Sequence, residues 1–385
     1  MSDVSGARRI ILTIIAVVLA LAVILILILL FLPTGEEITI NEGDWPMPGG
    51  GPAHLSYLPL APKGQLRERW STRLEGEAVG PPAVAGERIY VNCDNGLLYS
   101  LELETGLPVW RFDAGSGVAS MPAVSERGIV VGTTDGKVLQ VSPGGELDWE
   151  VEVGGAVLST PIPRDGRIYF GSSDNHLYCI DADDGSRVWS FAAEGPVEVS
   201  PCVYENQVFG ASYEGDLFAL DAKDGRLVWT LRSQGVPAVF PAADNGRVFL
   251  ATEFQLYCAD AQSGKLLWEY STGPTVISNL AIRGNQVVVV RGGSAEISNT
   301  ISLDARTGDL LWNAVSGETT AGTVLHASNE DVYLCGYDHL RALSAESGTP
   351  SMESELRGIL PETLTLTERF AFAGTDARKV YCLEE

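Results

Sequence analysis

Four histidines and six cysteines are the residues of this chain best able to do chemistry, and their spacing argues against a shared site. His54, His176, His326 and His339 have no second histidine two to four positions away, the spacing that presents paired imidazoles to one metal. No two of Cys93, Cys179, Cys202, Cys258, Cys335 and Cys382 are adjacent. Cys179, Cys258 and Cys382 recur at one point of a forty-residue repeat, too far apart for the Cα separation of about 4.4–6.8 Å that a disulfide needs. The other three have no evident mate, so the thiols read as buried and inert. Asp181-Ala182-Asp183-Asp184-Gly185 resembles a calcium loop but lacks its Asp-x-Asp-x-Asp-Gly spacing and distal glutamate, and reads as a hairpin turn. Gly49-Gly50-Gly51 is followed by Pro52 and no helix, so it is not a phosphate cradle. No Gly-x-Ser-x-Gly elbow occurs. No catalytic, cofactor-binding or metal-binding residue is therefore assigned.

What must position these side chains is the repeat. Trp70, Trp110, Trp149, Trp189, Trp229, Trp268 and Trp312, then Met352 in the same register, are separated by 40, 39, 40, 40, 39, 44 and 40 residues. From Trp110 onward a glycine stands four positions before each anchor: Gly106, Gly145, Gly185, Gly225, Gly264, Gly308 and Gly348. Pro82, Pro122, Pro161, Pro201 and Pro241 keep the same period in a second register. Within one unit the β-prone runs Arg167–Gly171, His176–Ile180 and Arg187–Phe191 are broken by Asp, Asn and Gly, the pattern of short antiparallel strands. A further run at the proline makes four strands.

Four-stranded units repeated at a fixed period predict an all-β, eight-bladed β-propeller of antiparallel blades. One tryptophan per unit is what wedging between neighbouring blades requires, and Met352 is the weakest wedge. Arg67–Arg73 carries an anchor but no partner strands, while Arg369–Gly374 and Lys379–Leu383 lack an anchor strand. The N-terminal strand should therefore complete the last blade.

Leu220-Asp221-Ala222-x-x-Gly225-x-x-x-Trp229, repeated at Leu303 to Trp312, resembles the tryptophan-docking repeat of the PQQ-like, quinoprotein-type propellers. The entry segment Trp45-Pro46-Met47-Pro48 with Ala53-His54 resembles their lead-in. WD40 repeats end in Trp-Asp and kelch repeats run longer, so both fit less well. The resemblance covers roughly residues 44–385 and implies two functional classes. One is quinone-dependent oxidoreductases, which hold pyrroloquinoline quinone with calcium in the central funnel. The other is non-enzymatic scaffolds, including the BamB-like lipoproteins of outer-membrane protein assembly, which this chain matches in size and blade number. A vicinal cysteine pair, expected of the enzymes, is missing here. No cysteine precedes Cys93 to carry a lipid, a departure from the lipoproteins.

Residues 10–32 are 23 uncharged and almost wholly aliphatic positions, ended by Pro33. As a helix they would span about 35 Å, enough for a hydrocarbon core of about 30 Å. Arg8 and Arg9 before the run and Glu36 and Glu37 after it predict a cytoplasmic N-terminus at 1–9. The transmembrane anchor at 10–32 then leads through a tether and lead-in at 33–65 to a propeller at 66–385, periplasmic or extracellular. The net charge is −24, and since residues 1–32 sum to +1 the remainder holds −25. Such a surface disfavours nucleic acid, whose phosphates call for a basic stripe.

The Trp268–Trp312 interval is four residues longer than the period, and its extra length falls at 291–299. Arg291, Glu296 and Asn299 are therefore the candidate contact loop, with Met121, Tyr213 and Phe240 as candidate rim anchors. The sequence predicts a membrane-anchored, extracytoplasmic scaffold that binds protein partners at the envelope without a cofactor. The alternative is a quinone-dependent oxidoreductase or ligand sensor using the funnel.

Overall fold

Each repeat folds as its turn residues dictate. In blade 3 the strands Ile162–Arg164, Arg167–Gly171, His176–Asp181 and Arg187–Ala192 pair antiparallel in chain order. The tight reversals between them fall at Asp165 and Asn175, both at positive φ, a conformation their short polar side chains tolerate. The first three strands are almost continuously buried, whereas the fourth shows its side chains to solvent on one face. A sheet covered on both faces reads as unbroken apolar runs, and here neighbouring sheets provide the cover.

In the computed structural model the described residues are 37–41, 44–271, 277–291, 297–318, 325–335, 339–356, 363–375 and 377–385. The expected membrane span at 10–32 lies outside them. Among the described residues no helix is long and apolar enough to cross a membrane. Eight four-stranded sheets form, seven of them from consecutive strands. First strands of successive blades touch one another from blade 1 to blade 7, so they line a common axis, and the fourth strands lie at the perimeter.

The eighth blade is composite, as the unpaired terminal fragments require. Its order is Thr363–Leu366, Ala371–Thr375, Lys379–Glu384 and then Arg67–Arg73. Arg67 lies opposite Glu384, Trp70 opposite Cys382 and Arg73 opposite Lys379. On the axis, Thr365 donates its hydroxyl to the Pro82 carbonyl of blade 1 at 2.6 Å.

One contact recurs at the blade junctions. The indole N–H of Trp70, Trp110, Trp149, Trp189, Trp229, Trp268 and Trp312 donates to a carbonyl in the turn before the fourth strand of the next blade, at 2.8–3.2 Å. From Trp149 onward the acceptor is the alanine of that turn: Ala182, Ala222, Ala261, Ala305 or Ala345. The ring face lies on the glycine of the same turn. A Cβ built on Gly264 would stand 2.4 Å from Trp229, and the residue's φ of +69° is itself a glycine conformation. Each part of the Leu-Asp-Ala-x-x-Gly-x-x-x-Trp motif thus has a mechanical duty. Leu220 is core, Asp221 accepts the Lys223 N–H to shape the turn, the Ala222 carbonyl takes the indole proton, and Gly225 receives the ring. The Asp181–Gly185 segment is one of these turns, with Asp181 and Asp184 accepting the backbone N–H groups of Asp183 and Ser186.

Met352 marks where this arrangement has to change. Blade 8 is assembled from two chain segments, so no turn joins Lys379–Glu384 to Arg67–Arg73, and the turn on which the other junctions dock an indole is missing there. A thioether needs no acceptor and fills irregular space. In place of the turn, the Glu385 carboxylate accepts the backbone N–H groups of Lys63 and Gly64.

Burying an indole removes roughly 150–250 Å² from water, about 4–6 kcal/mol gross. We therefore expect Trp229→Ala to lower unfolding free energy by roughly 3–5 kcal/mol. Gly264→Ala, which deletes nothing, should cost roughly 1–3 kcal/mol by straining the turn that Trp229 rests on. Denaturant titration measures both, and a change under about 0.5 kcal/mol in either would remove the docking contact from the account.

Candidate functional site

One end of the central channel is closed by the chain's own lead-in. Trp45 exchanges backbone hydrogen bonds with Val84 of blade 1 at 2.8 and 2.9 Å. Pro46, Pro52, Ala53, Leu55 and Ser56 then accept the N–H groups of Val124, Val203, Ala243, Ile282 and Ala327, at 2.7–3.0 Å. Each donor lies on the first strand of its blade, so the segment forms a belt touching blades 1, 2, 4, 5, 6 and 7. In blade 3 the matching residue is Pro163, which has no N–H to give. The same segment contacts the turns after the first strands: Gly86 donates to Asp44 at 2.7 Å, Tyr57 to Asn329 at 2.6 Å, and Lys63 to Glu330 at 2.5 Å.

Two buried imidazoles sit against this belt. His54 holds the Pro241 carbonyl through Nδ1 at 3.1 Å, its ring 4.4 Å from that of Phe240. His326, on the first strand of blade 7, meets the Trp45 ring edge-on at 4.5 Å and the Leu364 carbonyl through Nε2. Among the described residues, Nε2 of His54 and Nδ1 of His326 have no hydrogen-bond partner. Burial lowers both imidazoles to about 4.

The opposite end carries the longer loops that join one blade to the next, together with the turns between second and third strands. Around the channel mouth the Met121 N–H donates to Thr160 Oγ1 at 3.1 Å, and the Thr160 N–H to Ser200 Oγ at 3.0 Å. Outside this polar ring, four apolar side chains from blades 3 to 5 and their loops face solvent. They are Leu158 (36 % exposed), Tyr213 (41 %), Val236 (36 %) and Phe254 (47 %). Glu194, Glu198, Glu214 and Glu253 stand among them in sequence and in loop position. Glu198 accepts the Ser173 hydroxyl at 2.6 Å, and burial, with the Glu198 carboxylate beside it, raises the Tyr213 phenol. An apolar arc within an acidic surface suits a protein partner with complementary charge.

Of the expected rim anchors, Tyr213 is exposed, while Met121 and Phe240 are half-buried and Phe240 serves the His54 pocket. Leu158, Val236 and Phe254 were not singled out by the sequence. Phe254 had a signal, since the other second-to-third-strand turns of blades 1 to 4 place Asp, Asn or Glu where this one ends in phenylalanine. The extra length of blade 6 goes into its strands, and Arg291 pairs across the hairpin with Asn299. Glu296 lies outside the described residues.

Among the described residues no three His, Cys, Asp or Glu side chains converge as metal ligands. All six cysteines are buried thiols outside any disulfide. Burial pushes the Cys93, Cys179, Cys258, Cys335 and Cys382 thiols up to about 12, and Cys202 higher still. The groups placed around the channel mouth, from Met121, Thr160 and Ser200, include no carboxylate to hold the calcium of a bound quinone.

The sequence profile described as "Outer membrane protein assembly factor BamB" matches residues 65–162, 153–240 and 233–348. This chain belongs to that BamB family of PQQ-like propellers. It is 29 % identical to the outer membrane protein assembly factor BamB of Nitrosomonas eutropha over 164 residues, 42 % of this chain and 37 % of that protein. To the BamB of Bordetella pertussis it is 26 % identical over 141 residues, 36 % of each. The matched stretches thus span little more than a third of these relatives' length. The crystal structure of BamB from Moraxella catarrhalis superposes with a TM-score of 0.68 at 16 % identity, over 83 % of this chain and all of that one. Quinohemoprotein alcohol dehydrogenase from Comamonas testosteroni gives 0.71 at 14 %, over 89 % and 80 %. At such identities both likenesses concern the fold alone.

The buried imidazoles give a pH dependence with a definite sign. A histidine at about 4 when folded and about 6.5 when unfolded binds its proton in the unfolded state first. Its contribution is complete above pH 6.5 and is lost as the pH falls from 6.5 towards 4, by up to about 3 kcal/mol per imidazole. The melting temperature should fall across that window, and His54→Asn with His326→Gln should flatten the fall. An identical acid slope in the double variant would count against it.

Proposed function

We propose that this chain is a non-enzymatic protein-binding scaffold that works in the assembly of envelope or outer-membrane proteins. Residues 10–32 anchor it in the membrane, and the propeller stands on the extracytoplasmic side. The observation that carries this reading is the solvent-facing arc of Leu158, Tyr213, Val236 and Phe254 within acidic loops, on the end the lead-in leaves free. Its support is the BamB family itself, whose relatives are named as outer membrane protein assembly factors. The partner expected on this arc is a protein with apolar anchors and basic flanks. Exposed aromatic and aliphatic anchors surrounded by polar residues are the usual make-up of such a contact.

A photo-crosslinking residue placed at Tyr213 or Phe254 in intact cells tests the reading. Each should capture the same stoichiometric protein, and one placed at Glu87, on the face that carries the lead-in, should not. Tyr213→Ala with Phe254→Ala should weaken that capture at least about tenfold, as loss of interface anchors does, without shifting the melt. Equal capture from Glu87, or no protein captured from the arc, would contradict it.

A further inference from the structure

The fourth strand of each blade is an open sheet edge, and seven of the eight are short and charged. They run six residues, or seven in Arg67–Arg73, and each carries at least one Arg, Asp or Glu within that length. Charges and shortness on an edge block pairing with other chains. Blade 6 departs in length, and its one charge stands at the far end of the strand. Its fourth strand, Leu310–Glu318, is nine residues long, and the eight residues of Leu-Leu-Trp-Asn-Ala-Val-Ser-Gly before Glu318 are uncharged. Leu310 and Leu311 are about half exposed, and Val315 is 66 % exposed.

A cavity of about 470 Å³ adjoins this edge, lined by Val315, Arg341, Leu343, Pro350, Met352 and Glu353 among others. Its origin lies in a break of the repeat. In blades 1 to 3 the residue two positions after the tryptophan shares an apolar cluster with a third-strand residue of the next blade. Phe112 lies in one with Leu139, Val151 in one with Tyr178, and Phe191 meets Phe218 with ring centroids 5.1 Å apart. At the junction of blades 6 and 7 the corresponding residues are Ala314 and Arg341, a small side chain and a charged one. The Arg341 guanidinium bonds to Glu353 on its own sheet at 2.9–3.0 Å, and the space that two apolar side chains would share stays open.

We propose that the outer edge of blade 6 at Leu310–Gly317 captures an extended apolar segment of another polypeptide by strand addition, with one of its side chains seated in the cavity beside Val315. The backbone groups of an unpaired edge are matched by the backbone of another strand, and a pocket beside the edge selects an alternate side chain. Charge decides between occupants. A second copy of this chain would bring another −24 to the contact, whereas a segment bearing Lys or Arg is attracted to the acidic propeller and to Glu353. This surface is separate from the arc on blades 3 to 5 and does not rest on it.

The test uses the full chain in detergent and a fluorescent peptide in which valine alternates with threonine between terminal lysines. Its anisotropy should rise on binding, and Leu311→Lys with Val315→Lys should weaken the affinity at least about tenfold, with an unchanged melting temperature. Val228→Lys, at a similarly exposed edge position of blade 4, should leave binding as it was. N-methylation of alternate peptide bonds should abolish binding, because it removes the donors that strand addition uses. Binding that survives N-methylation or the blade 6 lysines overturns the proposal, as does a peptide that does not bind. Self-association of the unmodified chain that those lysines abolish would replace the occupant with a second copy.

Discussion

The structure depends on an indole laid across a glycine at the junctions between blades. A propeller blade is a sheet with two apolar faces and no independent way to cover them. The tryptophan covers one face, joins its N–H to the next blade's turn, and can approach that closely only because the turn offers glycine rather than a side chain. Stability is thereby distributed over successive interfaces, as in other repeat proteins. Here the interfaces also close on themselves, so a weak junction is held by all the others.

Closure has two further components. The Arg67–Arg73 strand completes blade 8, and the lead-in belt ties the first strands of six blades together from within the channel. Both come from the N-terminal part of the propeller, and both spend backbone hydrogen bonds on the fold. The belt occupies one end of the channel and leaves the other to the connecting loops. The free end is where loops vary without disturbing the docking turns, and the exposed apolar side chains of blades 3 to 5 are found there.

The period of the tryptophans made the blade count, the strand order and the composite last blade legible before any coordinates. Periodic apolar burial is what a sequence records best. Met352 was readable as a weak wedge, but its reason was not, because the missing turn is a consequence of closure in three dimensions. The role of Trp45-Pro46-Met47-Pro48 was hidden for a similar cause: a belt that bonds to six blades through its backbone leaves no side-chain pattern. The insertion near 291–299 was visible as extra length, yet it lengthens strands of blade 6, since Arg291 and Asn299 continue the ladder. Leu158 and Val236 carried no signal, because an exposed aliphatic residue in a loop looks like any other until its neighbours are known. The Asp-rich turns were read correctly as turns, and their aspartates now have backbone N–H groups to account for them.

The eight blades stand or fall as one closed ring. The most direct measurement is thermal unfolding of the chain lacking Ala371–Glu385, followed by calorimetry and tryptophan fluorescence together. That deletion removes the two strands between Thr363–Leu366 and Arg67–Arg73, and with them the partner of the closing strand. A closed ring should then lose its single cooperative transition and show solvent-exposed tryptophan emission at ambient temperature. A truncated chain that melts cooperatively near the full-length temperature would contradict it.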